Sequence, residues 1–141
     1  MIQRVQSLWL IVVALAAFAT YTLKLYVGTP IEGSEKFFLL ADDFLLVIPI
    51  ITLGILAIIC LFLFRNRKLQ FRLSLLGMFL SIGFIFLEYF RVENFKTEKL
   101  IQSGSYQLGA LLPIVMVIFF FLAARGIYRD QKLIESMDRL R

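Results

Sequence analysis

The sequence predicts an all-α membrane protein: an up-down-up-down bundle of four transmembrane helices with a cytoplasmic C-terminal amphipathic helix. Three observations predict it. Hydrophobic residues make up 60% of the 141 residues, and mean hydropathy is +0.86; soluble domains are about 45–50% apolar. The excess is gathered into four long runs. The 15 Lys and Arg residues fall almost entirely outside those runs or at their ends, and the gaps alternate between strongly basic and near neutral or acidic, as membrane insertion selects.

The first run covers residues 7–27; its uninterrupted apolar part, Leu8 to Ala19, is carried on by Thr20, Tyr21 and Thr22 to Lys24. The second, 44–64, would make about 32 Å of helix at about 1.5 Å per residue. Only Thr52 and Cys60 are weakly polar there, and Pro49 and Gly54 are its breakers. The third occupies 72–91 and the fourth 108–125. Each crosses a hydrocarbon core of roughly 30 Å when terminal residues snorkel. A backbone in lipid must satisfy its own hydrogen bonds, which makes these segments helices. A competing reading of the first run is a signal peptide, cleaved after Ala17-Phe18-Ala19; the reading adopted is an uncleaved anchor, with the whole chain one four-span domain.

Arg4, Arg65, Arg67, Lys68, Arg72, Arg125, Arg129, Lys132, Arg139 and Arg141 fall on one side of the predicted membrane. Lys24, Lys36, Arg91, Lys96 and Lys99 fall on the other, diluted by acids. The excess places both termini and the loop 65–72 in the cytoplasm, with the protein multi-pass in a bacterial inner membrane. Net charge is +5. Because the basic residues flank apolar spans, anionic headgroups are the expected counter-charge, and nucleic acid is not expected.

In the outer gaps, Thr29-Pro30, Gly33-Ser34 and Ser103-Gly104-Ser105 read as turns. The stretch 36–41, with Phe37 and Phe38, reads equally as a strand or an interfacial segment. In the tail, 126–141, Ile127, Leu133, Ile134, Met137 and Leu140 recur at helical spacing, and Glu135 and Arg139 form an i, i+4 pair. This helix continues from the fourth span and either lies on the inner leaflet or docks a cytoplasmic partner.

Chemistry is sparse. There is no His and one Cys, so neither a nucleophile–histidine pair nor a zinc cluster is available. No glycine-rich phosphate loop is present. No catalytic, metal-binding or cofactor-binding residue is expected, and the protein is not expected to be an enzyme. Asp42 and Asp43 read as acids at a helix N-terminus. Glu88 reads as an outer-interface residue paired with Arg91; an ionisable group buried within a span would instead be functional. Ser74, Gly77 and Ser81 share a face of the third span, a small-residue stripe suited to helix packing. Pro49 and Pro113 sit in early helical turns, where proline costs least.

Three segments carry a resemblance. They are the opening Met1-Ile2-Gln3-Arg4-Val5-Gln6-Ser7-Leu8-Trp9-Leu10, the loop Arg65-Asn66-Arg67-Lys68-Leu69-Gln70, and the close from Arg129-Asp130-Gln131-Lys132 through Arg139-Leu140-Arg141. Together they resemble an uncharacterised domain-of-unknown-function family of four-span inner-membrane proteins from Bacteroidetes. The resemblance covers the full length, with Gln131 a departure where an acid is expected. It implies a Gram-negative inner membrane and four spans, and adds no catalytic residue. All three segments lie on the side the charges assign to the cytoplasm. The expectation is a contact face there, made of Arg4, Arg65, Arg67, Lys68, Arg72, Arg129, Lys132, Arg139 and Arg141. The expected function is a non-enzymatic accessory or scaffold subunit of a larger membrane complex. Its partners would be membrane lipids and other integral membrane proteins, and a homo-oligomer is allowed. The alternative is a small oligomeric transporter or channel; an enzyme acting on lipid comes third and requires a pocket joining Glu88, Asp42 and Asp43.

Overall fold

Four apolar runs become four helices because a backbone in lipid must satisfy its own hydrogen bonds. A computed structural model describes residues 3–31 and 33–138. Its elements are α1 (Gln3–Thr22), β1 (Lys24–Pro30), β2 (Lys36–Leu39), α2 (Phe44–Phe62), α3 (Arg67–Glu98), β3 (Ile101–Tyr106) and α4 (Leu108–Asp138). All four helices are long and apolar enough to cross a membrane. Their outer faces agree: Leu8, Ile11, Leu15 and Phe18 of α1 and Ile48, Ile51, Ile55 and Ile58 of α2 are 46–69% exposed. An apolar exterior that continuous suits lipid as solvent and not water.

The inner faces follow a spacing of four and three. Gln6, Leu10, Val13, Ala17 and Thr20 are buried in α1, and Leu46, Ile50, Leu53, Ala57 and Cys60 in α2. Gln70, Ser74, Gly77, Ser81, Phe84 and Glu88 are buried in α3, and Met116, Phe120, Ala123, Ile127 and Asp130 in α4. That 3.5-residue period is the seam of a left-handed bundle. Pro49 and Pro113 lie inside α2 and α4, near their beginnings.

Three expectations are corrected. First, the chain is not all-α. A three-stranded antiparallel sheet, ordered β2-β1-β3, joins the end of α1, the start of α2, the end of α3 and the start of α4. The first helix therefore stops at Thr22, and residues 24–27 belong to β1. Thr20 and Thr22 donate their hydroxyls to the carbonyls of Ala16 and Ala19, a side-chain competition that goes with helix ends. Leu25-Tyr26-Val27 is too short for its apolar character to tell strand from helix. Of the two readings of 36–41, the structure adopts the strand over Lys36–Leu39.

Second, Ser103-Gly104-Ser105 is strand and not turn, with Gly104 opposite Gly28. Glycine is there for close approach: a Cβ on Gly104 would sit 2.6 Å from Tyr26 Cζ and from the Val27 carbonyl oxygen. Gly33, between β1 and β2, has φ +120°, so glycine is there because the turn needs it.

Third, α3 has 32 residues and α4 has 31, about 47 Å each at about 1.5 Å per residue. Both outrun the predicted spans, and the tail helix continues the fourth span, as expected. α4 runs on through Asp138, and Ile127 and Asp130 still pack into the bundle. The Glu35–Ser34 side of the β1–β2 turn stays exposed, whereas Arg139 and Arg141, and with them the Glu135–Arg139 pair, fall outside the described residues.

Candidate functional site

The end of the bundle opposite the sheet gathers the basic residues. Gln6 in the second turn of α1 is 6% exposed and Asp130 of α4 is 7% exposed. Gln6 Nε2 donates to Asp130 Oδ2 at 2.7 Å. Arg67, the first residue of α3, brings Nη1 to 3.9 Å from the same oxygen. Gln70, one turn further along α3, donates its side-chain amide to the Cys60 carbonyl of α2 at 2.9 Å. These contacts satisfy buried polar groups where helix ends meet. They tie the beginnings of α1 and α3, the end of α2 and the extension of α4 together. Trp9 lies 5.2 Å from the Phe119 ring and Phe71 lies 5.8 Å from Tyr128, which packs the same end further.

Of the predicted contact residues, Arg67 is half-buried against Asp130, while Arg65, Lys68, Arg72, Arg129 and Lys132 are exposed. Arg4 lies in the first turn of α1. Sequence reasoning missed Gln6, Gln70 and Asp130, the residues that hold this end together. The signal was available: an isolated polar residue in phase with an apolar seam belongs to the seam. Ser74, Gly77 and Ser81 lie on the buried face of α3. A Cβ on Gly77 would meet the Phe120 ring at 2.6 Å and Leu56 at 2.9 Å, and Ser81 donates to the Gly77 carbonyl at 2.8 Å.

The expected Glu88–Arg91 pair is corrected. Arg91 pairs with Asp43 across helices. Asp43 is the N-cap of α2, its other carboxylate oxygen accepting from Leu45 N at 3.1 Å, which satisfies one orphan donor of the helix end. Glu88 is 4% exposed, and its Oε1 has no hydrogen-bond partner. Three residues separate Glu88 from Arg91, but Glu88 lies on the seam and Arg91 is turned off it. Asp42 is exposed, whereas Asp43 and Glu88 are buried. Among the described residues, no group of three or more His, Cys, Asp or Glu is placed to hold a metal ion.

Residues 2–140 match one protein family, described as a domain of unknown function (DUF4293). No curated protein and no solved structure matches the chain.

Proposed function

We propose that this chain, which belongs to the DUF4293 family, is a non-enzymatic accessory or scaffold subunit of a larger inner-membrane assembly. Its helices alternate in direction across the membrane, with both termini and the 65–72 loop in the cytoplasm and the sheet outside. The Gln6–Asp130–Arg67 junction carries the reading. It makes the basic pieces parts of one fixed surface, and a preformed surface loses less entropy on docking than separate flexible segments.

Purification from native membranes in mild detergent tests it. A defined set of larger membrane proteins should accompany the wild type in fixed ratio and be lost from the Lys68→Gln/Arg72→Gln variant, which alters two exposed side chains. Recovery of the wild type only as itself, in one oligomeric size, removes the reading. The orientation has its own check. A cysteine replacing Arg72 should stay unreactive toward an impermeant reagent applied outside; reaction there reverses the topology.

Glu88 supports a second reading, a small oligomeric transporter or channel. An unpaired carboxyl within a span is the kind of group that binds and releases protons along a path. Proteoliposomes of the wild type should then collapse an imposed pH gradient faster than those of Glu88→Gln. Equal rates remove this reading and leave Glu88 a structural residue.

A further inference from the structure

Between α1 and α4, at the basic end, an open groove of about 530 Å³ follows the helix pair. Its size is within the roughly 300–1,000 Å³ of small-molecule sites. Its lining changes along its length. Along α4 it runs Leu122, Arg125, Arg129 and Leu133, so the two arginines, one turn apart, stand between apolar residues, and Val5 adds an apolar residue from α1. Trp9 completes the α1 wall, its ring braced by Phe119. Gly126 lets the two helices approach: a Cβ there would lie 2.9 Å from Gln6 Cγ. Among the described residues its lining has one acid, Asp130, whose carboxylate already takes the Gln6 amide and faces Arg67. Arg129 and Leu133 also border an adjoining cavity of about 330 Å³ with Lys132 and Ser136.

We propose that this groove binds one anionic glycerophospholipid, its phosphate between Arg125 and Arg129 and an acyl chain along Val5, Trp9 and Leu122. Two guanidinium groups at i, i+4 spacing point from one helix face and offer fork-shaped donors to phosphate oxygens. Charge complementarity selects the occupant, because the guanidinium groups of the lining carry a net positive charge after Asp130 is neutralised. On the mid-span side of Arg125 the wall continues through Leu122 and Trp9, the direction in which an acyl chain must run. Basic pockets between transmembrane helices on the cytoplasmic side are where anionic headgroups lodge. A soluble phosphate would use the two arginines and leave the apolar stretch idle. The proposal rests on reading this end as the cytoplasmic face, but not on the existence of a protein partner.

The test is native mass spectrometry of the detergent-purified full chain, mixed with phosphatidylglycerol or phosphatidylcholine of the same acyl chains. The wild type should retain one phosphatidylglycerol and far less phosphatidylcholine. The Arg125→Gln/Arg129→Gln variant should bind phosphatidylglycerol about thirtyfold more weakly, the effect of two cations near the headgroup. The Lys24→Gln/Lys36→Gln variant, with the same charge loss at the sheet end, should bind it as the wild type does. If both variants weaken binding equally, or the wild type holds the two lipids equally, the proposal falls. Displacement of the lipid by millimolar inorganic phosphate also overturns it, in favour of a soluble anion. The headgroup comparison on the wild type decides the matter even when the arginine variant does not fold. Retained lipid without protein partners sinks the accessory reading alone; protein partners without retained lipid sink the groove alone.

Discussion

Gly77→Leu is expected to unfold the bundle or sharply lower its thermal midpoint in detergent. A Cβ alone would stand 2.6 Å from Phe120 Cε1 and Cζ and 2.9 Å from Leu56 Cδ2. Phe120 is completely buried, so its ring has no solvent side to swing into, and Leu56 belongs to α2. One added methyl therefore presses on two neighbouring helices at once. Gly77→Ala brings two opposed effects. Alanine improves helix propensity by about 1 kcal/mol, while overpacking costs about 1–3 kcal/mol; overpacking should win narrowly. Leucine adds three more carbons to the same contact with no further propensity gain, so its cost should exceed that range. A double-mutant cycle separates this from a general helix defect. Phe120→Leu should cost less in the Gly77→Ala background than in the wild type, because each change relieves the other. Additive costs would mean that Gly77 does not act through Phe120. A Gly77→Leu protein as stable as the wild type would mean that α3 and α4 are not this close.

How much of this was legible depends on which residues carried the signal. The spans were readable because lipid demands length and apolarity, and α2 matches the predicted second span within two residues. The seam was harder. In α1 the outward Leu8, Ile11 and Leu15 are as apolar as the inward Leu10, Val13 and Ala17, so hydrophobic periodicity cannot orient the helix. In lipid the inward face is marked by its polar members: Gln6 and Thr20 in α1, Gln70 and Glu88 in α3, Asp130 in α4. Read as a polar period of 3.5, they would have placed Asp130 in the core and Glu88 away from Arg91. The sheet was legible only in part, because β3 holds Ser103, Gly104 and Ser105 where turn chemistry is expected. Their pairing with β1, 74 residues back in the case of Thr29 and Ser103, is a tertiary fact with no local trace. The groove was hidden for a similar reason: Arg125 and Arg129 were visible as charges, but only the packing of α1 on α4 sets them beside Trp9.

Asp130→Ala is expected to loosen the basic end as a unit and to destabilise the protein by about 2–4 kcal/mol, an estimate bounded by two costs. Leaving the buried Gln6 amide without its acceptor costs about 1–3 kcal/mol. Removing one member of a buried ion pair costs about 3–5 kcal/mol. Arg67 recovers part of that because its side chain is 25% exposed and already 3.9 Å from the carboxylate, where water can take over. Asp130→Asn keeps an oxygen for Gln6 and loses only the attraction to Arg67, so it should cost about 1 kcal/mol, the scale of a partly exposed pair. The order alanine worse than asparagine is the informative result, read as thermal midpoints in one detergent. A further variant tests the cause. Gln6→Leu with Asp130→Leu removes donor and acceptor together, and apolar replacement of a buried polar pair is often neutral. It should therefore be more stable than Asp130→Ala. If instead Asp130→Ala and Asp130→Asn differ by less than about 0.5 kcal/mol, the range of an ordinary surface change, the junction does not hold the helices. The basic pieces would then be separate segments, and the accessory reading would lose the surface it depends on, because Arg67 and the extension of α4 would no longer share a fixed frame with α1.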